Sequence, residues 1–251
     1  MIFAAGLGTR LKPLTDTLPK ALVPVCGKPL VEHVTRKLKA SGVDEAVLNV
    51  HHFASMIEEW ASGQDIMKME ISDERDLLLE TGGGILHARR LLDGCGSFLV
   101  HNVDIISDLD IGWFASQVRA GSVATLLVSE RKTSRYLLFE PETMRLVGWT
   151  NISTGEVRSP YADLDPEKCV RLAFSGIHMM SDTIFDAMEE YARDHSLFEQ
   201  TPTPRFPVMD FYLAACASYN IYGVKAEGLH LVDVGKLDTI ETAEKLLKTI
   251  L

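Results

Sequence analysis

A basic glycine loop and two well-separated aspartates are the residues of this sequence whose types and spacing suit chemistry. The loop runs Ala4-Ala5-Gly6-Leu7-Gly8-Thr9-Arg10-Leu11-Lys12-Pro13-Leu14-Thr15 and closes at Pro19-Lys20. Its glycines allow close approach to the backbone, and successive backbone N–H groups can cradle a phosphate. Residues 1–28 hold four bases (Arg10, Lys12, Lys20 and Lys28) and one acid, Asp16, a local charge of +3. The whole chain has 25 basic and 35 acidic residues and a net charge of −10. A local reversal of that kind suits an anionic ligand. Two phosphate templates fail: no Lys-Ser or Lys-Thr follows Gly8, as a P-loop requires, and position 11 is Leu rather than the third small residue of a dinucleotide fingerprint. Taken alone, Gly-x-Gly-Thr-Arg reads equally well as a tight turn with solvated bases. Asp104 and Asp233 each end a predicted strand, over 98–103 and 231–234. Turn capping is the commonest role for such an Asp, but two at one sheet edge suit a hard cation such as Mg²⁺.

The elements that must position these residues follow from apolar periodicity. Strands are predicted over 2–5, 46–50, 69–72 and 98–100. Helices are predicted over 30–40, near 55–61, over 84–92 and near 109–119. Strands and helices alternating over short connections make right-handed βαβ units. The second half is more mixed: a buried strand over 123–128, a surface hairpin over 136–140 and 145–150, and a polar loop or short strands over 151–168. A strand over 172–179 and helices over 208–218 and 239–248 complete it. The reading is a single α/β domain over 1–251, with a doubly wound, mostly parallel, Rossmann-like mixed sheet flanked by helices. The nucleotide-binding half is placed at 1–110 and a more elaborated half at 111–251.

Composition excludes several classes. The acidity argues against nucleic-acid binding and against a polybasic membrane-surface protein. No apolar run reaches the roughly 18 residues of a membrane span, and the N-terminal residues lack the basic start of a signal peptide. Cys26, Cys95, Cys169 and Cys216 form no C-x-x-C pair or ligand spacing and read as reduced, mostly buried thiols of a cytoplasmic protein. His51-His52 lacks a carboxylate or Cys at ligand spacing, so a strand-end pair fits better than zinc. Trp60, Trp113 and Trp149 read as packing residues.

The full string resembles the signature of the sugar-1-phosphate nucleotidylyltransferases. Gly6 to Thr15, Pro19-Lys20-Ala21-Leu22-Val23-Pro24-Val25 and Lys28-Pro29-Leu30-Val31-Glu32 carry the resemblance. Glu80-Thr81-Gly82-Gly83-Gly84-Ile85, Asn102-Val103-Asp104, Phe174-Ser175-Gly176-Ile177 and Val232-Asp233-Val234-Gly235 follow in the family's order. Nearly the whole chain is covered. Within the family it is most similar to N-acetylmuramate-1-phosphate uridylyltransferases, with mannose- and heptose-1-phosphate guanylyltransferases close by. The resemblance implies one domain of the nucleotide-diphospho-sugar transferase type, with 111–251 as its sugar-phosphate-binding half. It implies that Gly6, Gly8 and Thr9 cradle phosphate, with Ala5 beside them in the nucleotide-binding set, that Arg10 holds the triphosphate tail, and that Lys20 lies over the reacting phosphates. Asp104 and Asp233 would bind Mg²⁺, with Mn²⁺ as a substitute. Gly82 and Gly83 would contact the nucleobase and ribose, Ser175 and Gly176 would line the sugar pocket, and Asn102 would sit beside the metal position.

Several positions depart from the pattern. Val103 replaces a smaller residue, Leu231 replaces a Trp, and Lys236 stands where Thr is common. Arg158 and Arg171 are the candidates for the basic residue that longer relatives aim at the sugar phosphate. Asp210 resembles a position near the acceptor but equally suits helix capping. Met1 falls within the first strand, where relatives carry a few more residues. The expected partners are a nucleoside triphosphate and a sugar 1-phosphate, with no nucleic acid or membrane, in a monomer or homodimer. UTP is favoured as donor; the rivals are a GTP-dependent mannose- or heptose-1-phosphate guanylyltransferase and a non-catalytic nucleotide-sugar regulator.

Overall fold

The computed structural model describes residues 1–250; the last residue of the expected domain, Leu251, lies outside them. Contacts divide the chain into two compact units built from interleaved segments. The first comprises residues 1–78, 100–112 and the chain from Gly228 on; the second comprises 79–99 and 113–227. Residues expected in the nucleotide half therefore fall in both.

Within the first unit, strand Ile2–Phe3 lies between Glu45–Val50 and Ser97–Asn102, parallel to both, and Lys68–Asp73 adds parallel to Glu45–Val50. Strand Ser97–Asn102 starts in the second unit and enters the first at Val100. Helix Leu30–Ala40 takes the predicted bounds. Leu30, Val31, Val34 and Leu38 form its buried stripe, a 3.6-residue repeat that hides one face and leaves Arg36 and Lys39 outside. After Asp104, Ile105–Ser107 pairs antiparallel with Leu231–Asp233 as a separate two-stranded ladder. Asp233 thus lies on a small ladder of its own, and Asp104 lies in the link from strand Ser97–Asn102 to that ladder, so the two do not share an edge of the large sheet.

The second unit is mixed. Val170–Ser181 pairs antiparallel with Ala124–Ser129 and with Arg135–Phe139. Leu146–Asn151 and Glu156–Arg158 continue the sheet, while Ile221–Lys225 runs parallel to Ala124–Ser129. The predicted surface hairpin is an interior part of this sheet: its first strand has a neighbour on each side, and the burial of three successive residues, Leu137, Leu138 and Phe139, shows that both of its faces are covered. Helices Glu80–His87, Ile184–Asp194 and Val208–Ala215 pack on one another, and their Phe185, Phe211 and Tyr212 are fully buried. The α/β class and the mixed sheet flanked by helices match expectation.

The cysteines differ from it. All four are free, but Cys26 and Cys95 are exposed and only Cys216 is buried. Cys26 lies in the turn between the short strands Pro24–Val25 and Lys28–Pro29, so its place follows from the turn and not from its hydrophobicity.

Candidate active site

The glycine loop begins where strand Ile2–Phe3 stops. Asn49 Oδ1 accepts from Ala4 N at 2.8 Å and from Ala5 N at 3.4 Å, lifting the chain off the ladder. Gly8 has a φ of +63°, and its carbonyl accepts from Leu11 N at 2.9 Å and Thr15 Oγ1 at 2.8 Å. A Cβ there would lie 2.9 Å from Thr15 Cγ2 and 3.0 Å from Lys20 Cβ, so backbone angle and space both require glycine. The short turn Thr9–Leu11 hangs from buried Leu11 and carries Arg10. A second turn, Lys20–Leu22, is anchored by buried Ala21.

Lys20 Nζ forms an ion pair with Asp104 Oδ2, and both side chains are nearly buried. The ladder register sets Asp233 opposite Ile105, next in sequence to Asp104, and Val234 N donates to the Asp104 carbonyl at 2.8 Å. Two carboxylates are thereby held side by side. Burial, and then the negative charge of Asp104, raise the Asp233 carboxyl above its usual range, while Lys20 and Arg10 pull it down. Asp233 Oδ1 is buried without a hydrogen-bond partner. A Cβ at Gly235 would lie 2.7 Å from both Arg10 Nη2 and Asp233 Oδ1, so glycine gives the guanidinium room beside this aspartate.

These residues fit a magnesium ion. An unpartnered buried carboxylate oxygen next to a second carboxylate is a hard donor pair that a cation would satisfy. No cluster of three His, Cys, Asp or Glu suited to a metal occurs among the described residues. The protein donors are thus two, and water and phosphate oxygens would complete the shell, as is usual for Mg²⁺. Asn102 ends the strand beside Phe3, two residues before Asp104.

The remaining candidates lie in the second unit. Gly82 N and Gly83 N both donate to the Phe206 carbonyl, at 2.8 and 3.1 Å. A Cβ at Gly82 would stand 2.4 Å from the Phe206 ring, and one at Gly83 would stand 2.3 Å from the Pro204 carbonyl. Close packing on segment 204–206 by itself accounts for glycine at these two positions. Glu80, at a φ of +63°, pairs with Arg205 at 3.0 Å. Ser175 and Gly176 form a bulge, because strand pairing skips from Phe174↔Val128 to His178↔Leu126. Ser175 is buried and its Oγ bonds Ser129 Oγ at 3.2 Å. Of the two basic candidates, Arg158 pairs with Asp210 at 2.8 Å and lies over the Trp149 ring, while Arg171 pairs with Glu167.

Sequence reasoning passed over Asn49 and Glu74, and took in Gly235 only as the end of the Val232-Asp233-Val234-Gly235 motif. The signal for Asn49 was present: one amide inside the otherwise apolar Ala46-Val47-Leu48-Asn49-Val50.

With that geometry in hand, the family described as Nucleotidyl transferase matches residues 1–145, more than half of the chain. The chain belongs to this nucleotidyl transferase family. It is 49% identical over 110 residues to the N-acetylmuramate alpha-1-phosphate uridylyltransferase of Caulobacter vibrioides, a match covering 42% of this chain and 45% of that one. It is 33% identical over 154 residues to the mannose-1-phosphate guanylyltransferase catalytic subunit beta of Danio rerio, covering 58% and 42%. Both matches span less than half of the relative's length. HddC from Yersinia pseudotuberculosis shares the fold, with a TM-score of 0.72 at 20% identity over 98% of this chain and 97% of that one. All the first-unit candidate residues lie within the matched segment except Asp233 and Gly235.

Proposed function

We propose that this protein transfers a nucleotidyl group from a nucleoside triphosphate to a sugar 1-phosphate, with UTP the favoured donor and N-acetylmuramate 1-phosphate the favoured acceptor. The observation that carries this reading is the convergence of Arg10, Lys20, Asp104 and Asp233 beside the Gly8 turn. A non-catalytic regulator has no need of one buried and one half-buried carboxylate, mutually repelling, next to two cations.

In this reaction an oxygen of the acceptor's phosphate forms a bond to the α-phosphorus of the triphosphate. The α–β phosphoanhydride bond breaks and pyrophosphate leaves. The nucleophile is already an anion, so no general base is required, and catalysis rests on positioning and charge stabilisation. The backbone from Gly6 to Thr9 receives the phosphates. Arg10 grips the leaving pyrophosphate through its planar fork. Lys20 places a compact positive charge at the α-phosphoryl oxygens. Asp104 and Asp233 would hold Mg²⁺, which when bound neutralises phosphate charge at the reacting centre. Asn102, Ser175 and Gly176 are assigned to the acceptor side, and Gly82 and Gly83 to the base. Since the Gly82 and Gly83 amides already serve Phe206, a base at that turn is read by other groups.

No helix among the described residues is long and apolar enough to cross a membrane. We assign the enzyme to the cytoplasm, acting as one catalytic domain, monomer or homodimer. The uridylyl reading is supported by the 49% identical relative, and a guanylyl reading by the Danio rerio relative. Pyrophosphate release with four triphosphates at fixed sugar phosphate separates them. A kcat/KM highest for UTP supports the first reading, and one highest for GTP replaces it with the second. Release from no triphosphate with any sugar phosphate overturns both.

A further inference from the structure

Beneath the glycine loop runs a buried polar chain that the catalytic residues do not explain. Strand Ile2–Phe3 is only two residues long, and beyond it the amides of Ala4 and Ala5 need a new acceptor. Asn49 Oδ1 supplies it for both, and Asn49 Nδ2 donates to Glu74 Oε1 at 2.8 Å. Glu74 is itself fixed: its N donates to the Val50 carbonyl at 2.8 Å, and its carbonyl accepts from His51 Nδ1 at 2.7 Å. Asn49 and Glu74 are each only 3% exposed. Burying a carboxylate and an amide is costly unless each is well bonded. A plain apolar strand end would pack here at lower cost but would leave the Ala4 and Ala5 amides without an acceptor.

We propose that Asn49, oriented by Glu74, is the positioning residue that shapes the phosphate cradle and thereby sets affinity for the nucleoside triphosphate. The bond from Glu74 fixes which end of the Asn49 amide faces the loop. With Nδ2 committed to Glu74, Oδ1 must face Ala4 and Ala5. Two consequences follow for the ligand. The Ala4 and Ala5 amides are spent on Asn49, so Ala5 offers a ligand its carbonyl, and the donors of the cradle start at Gly6. The angle at which the chain leaves the sheet, and so the place of Gly6 to Arg10, is set by a side chain on the neighbouring strand. This inference rests on the nucleotidyltransferase reading, and its test separates the two.

The test is calorimetric titration of UTP with Mg²⁺ in the absence of sugar phosphate, so that binding is read without turnover, alongside thermal unfolding. Asn49→Ala should weaken UTP binding about tenfold or more, because the Ala4 and Ala5 amides lose their acceptor and the loop is no longer held in its binding shape. Asn49→Asp sets a second carboxylate against Glu74 and should weaken it similarly. In the double variant Asn49→Asp with Glu74→Gln, Gln Nε2 donates to the new Asp while Asp still accepts from Ala4 and Ala5, so affinity should return to within about threefold of wild type. That rescue has the same net charge as wild type, and a general packing role does not predict it. In the assembled reaction, KM for the triphosphate should rise in Asn49→Ala while KM for the sugar phosphate stays within about twofold. Unchanged UTP affinity in a folded Asn49→Ala, or a double variant as weak as Asn49→Asp, overturns the inference alone. If Asn49→Ala fails to fold, the comparison of Asn49→Asp with the double variant decides. If the wild type binds none of the four triphosphates, the nucleotidyltransferase reading falls and this inference falls with it.

Discussion

Asp233 shows most plainly how function is set against stability at a single residue. Its carboxyl is half-buried, stands beside Asp104, and has one buried oxygen without a partner. Each feature costs folding free energy and each suits a cation. Asp233→Asn keeps the shape, removes the like-charge repulsion and supplies a donor. The melting temperature should stay level or rise, while kcat falls at least about a hundredfold, the scale of losing one charge-stabilising group. A variant that keeps wild-type turnover at limiting Mg²⁺ would remove Asp233 from the site. Arg10 and Lys20 should separate in steady-state kinetics. Lys20 is held on Asp104, so Lys20→Ala should act mainly on kcat. Arg10 lies further along the loop, beside Gly235, so Arg10→Ala should also raise KM for the triphosphate. Equal and small losses from both would remove them from the reacting phosphates.

At the scale of elements, what the sequence made legible depended on whether one residue's neighbours could decide its environment. Leu30–Ala40 was readable to the residue because its apolar stripe repeats locally and Pro29 stands before it. Ile105–Ser107 was not, since three residues carry no period and the strand exists only through its pairing with Leu231–Asp233, more than a hundred residues away. Because of that ladder, the sequence could single out both aspartates as candidates but could not give their place in the fold. Helix Ile184–Asp194 was passed over although Ile184, Phe185, Met188 and Ala192 line one buried face; its period was there to be read. The three glycines at 82–84 were legible as a constraint, but the closest contacts at two of them are with Phe206 and Pro204, far along the chain, which no local pattern gives. That contact makes a prediction. Gly82→Ala puts a methyl on the Phe206 ring, and strain of this kind typically costs about 1–3 kcal/mol. Urea unfolding should show a loss in that range. A loss no larger than that of an exposed Gly→Ala control would mean that Phe206 moves aside freely.

For the molecule as a whole, stability should fall in mild acid for a reason rooted in one histidine. His101 is buried in strand Ser97–Asn102, where Ile2 is its strand partner. Its Nδ1 donates to the Asn102 carbonyl at 2.8 Å, and its Nε2 is buried without a partner. Burial is the largest influence and Lys37 adds to it, while the Asn102 carbonyl and Asp104 oppose; together they lower its pKa to about 4 from 6.5. The folded protein therefore keeps His101 neutral at pH values where the unfolded chain takes up a proton. Above about pH 6.5 neither state binds that proton and His101 makes no pH-dependent contribution. Between about pH 6.5 and 4 the unfolded state gains it alone, and unfolding free energy falls as pH falls, by about 3 kcal/mol over the full window. At pH 5 the loss is about 2 kcal/mol relative to pH 7.5. Carboxylates whose pKa values folding lowers, such as that of Asp108 beside His230, lose their contribution at more acid pH. The experiment compares urea midpoints of wild type and His101→Leu at pH 7.5 and pH 5. Wild type should lose about 2 kcal/mol more than the variant over that interval. Parallel losses in the two proteins would mean that His101 protonates as readily folded as unfolded, through water reaching Nε2, and that acid sensitivity arises elsewhere.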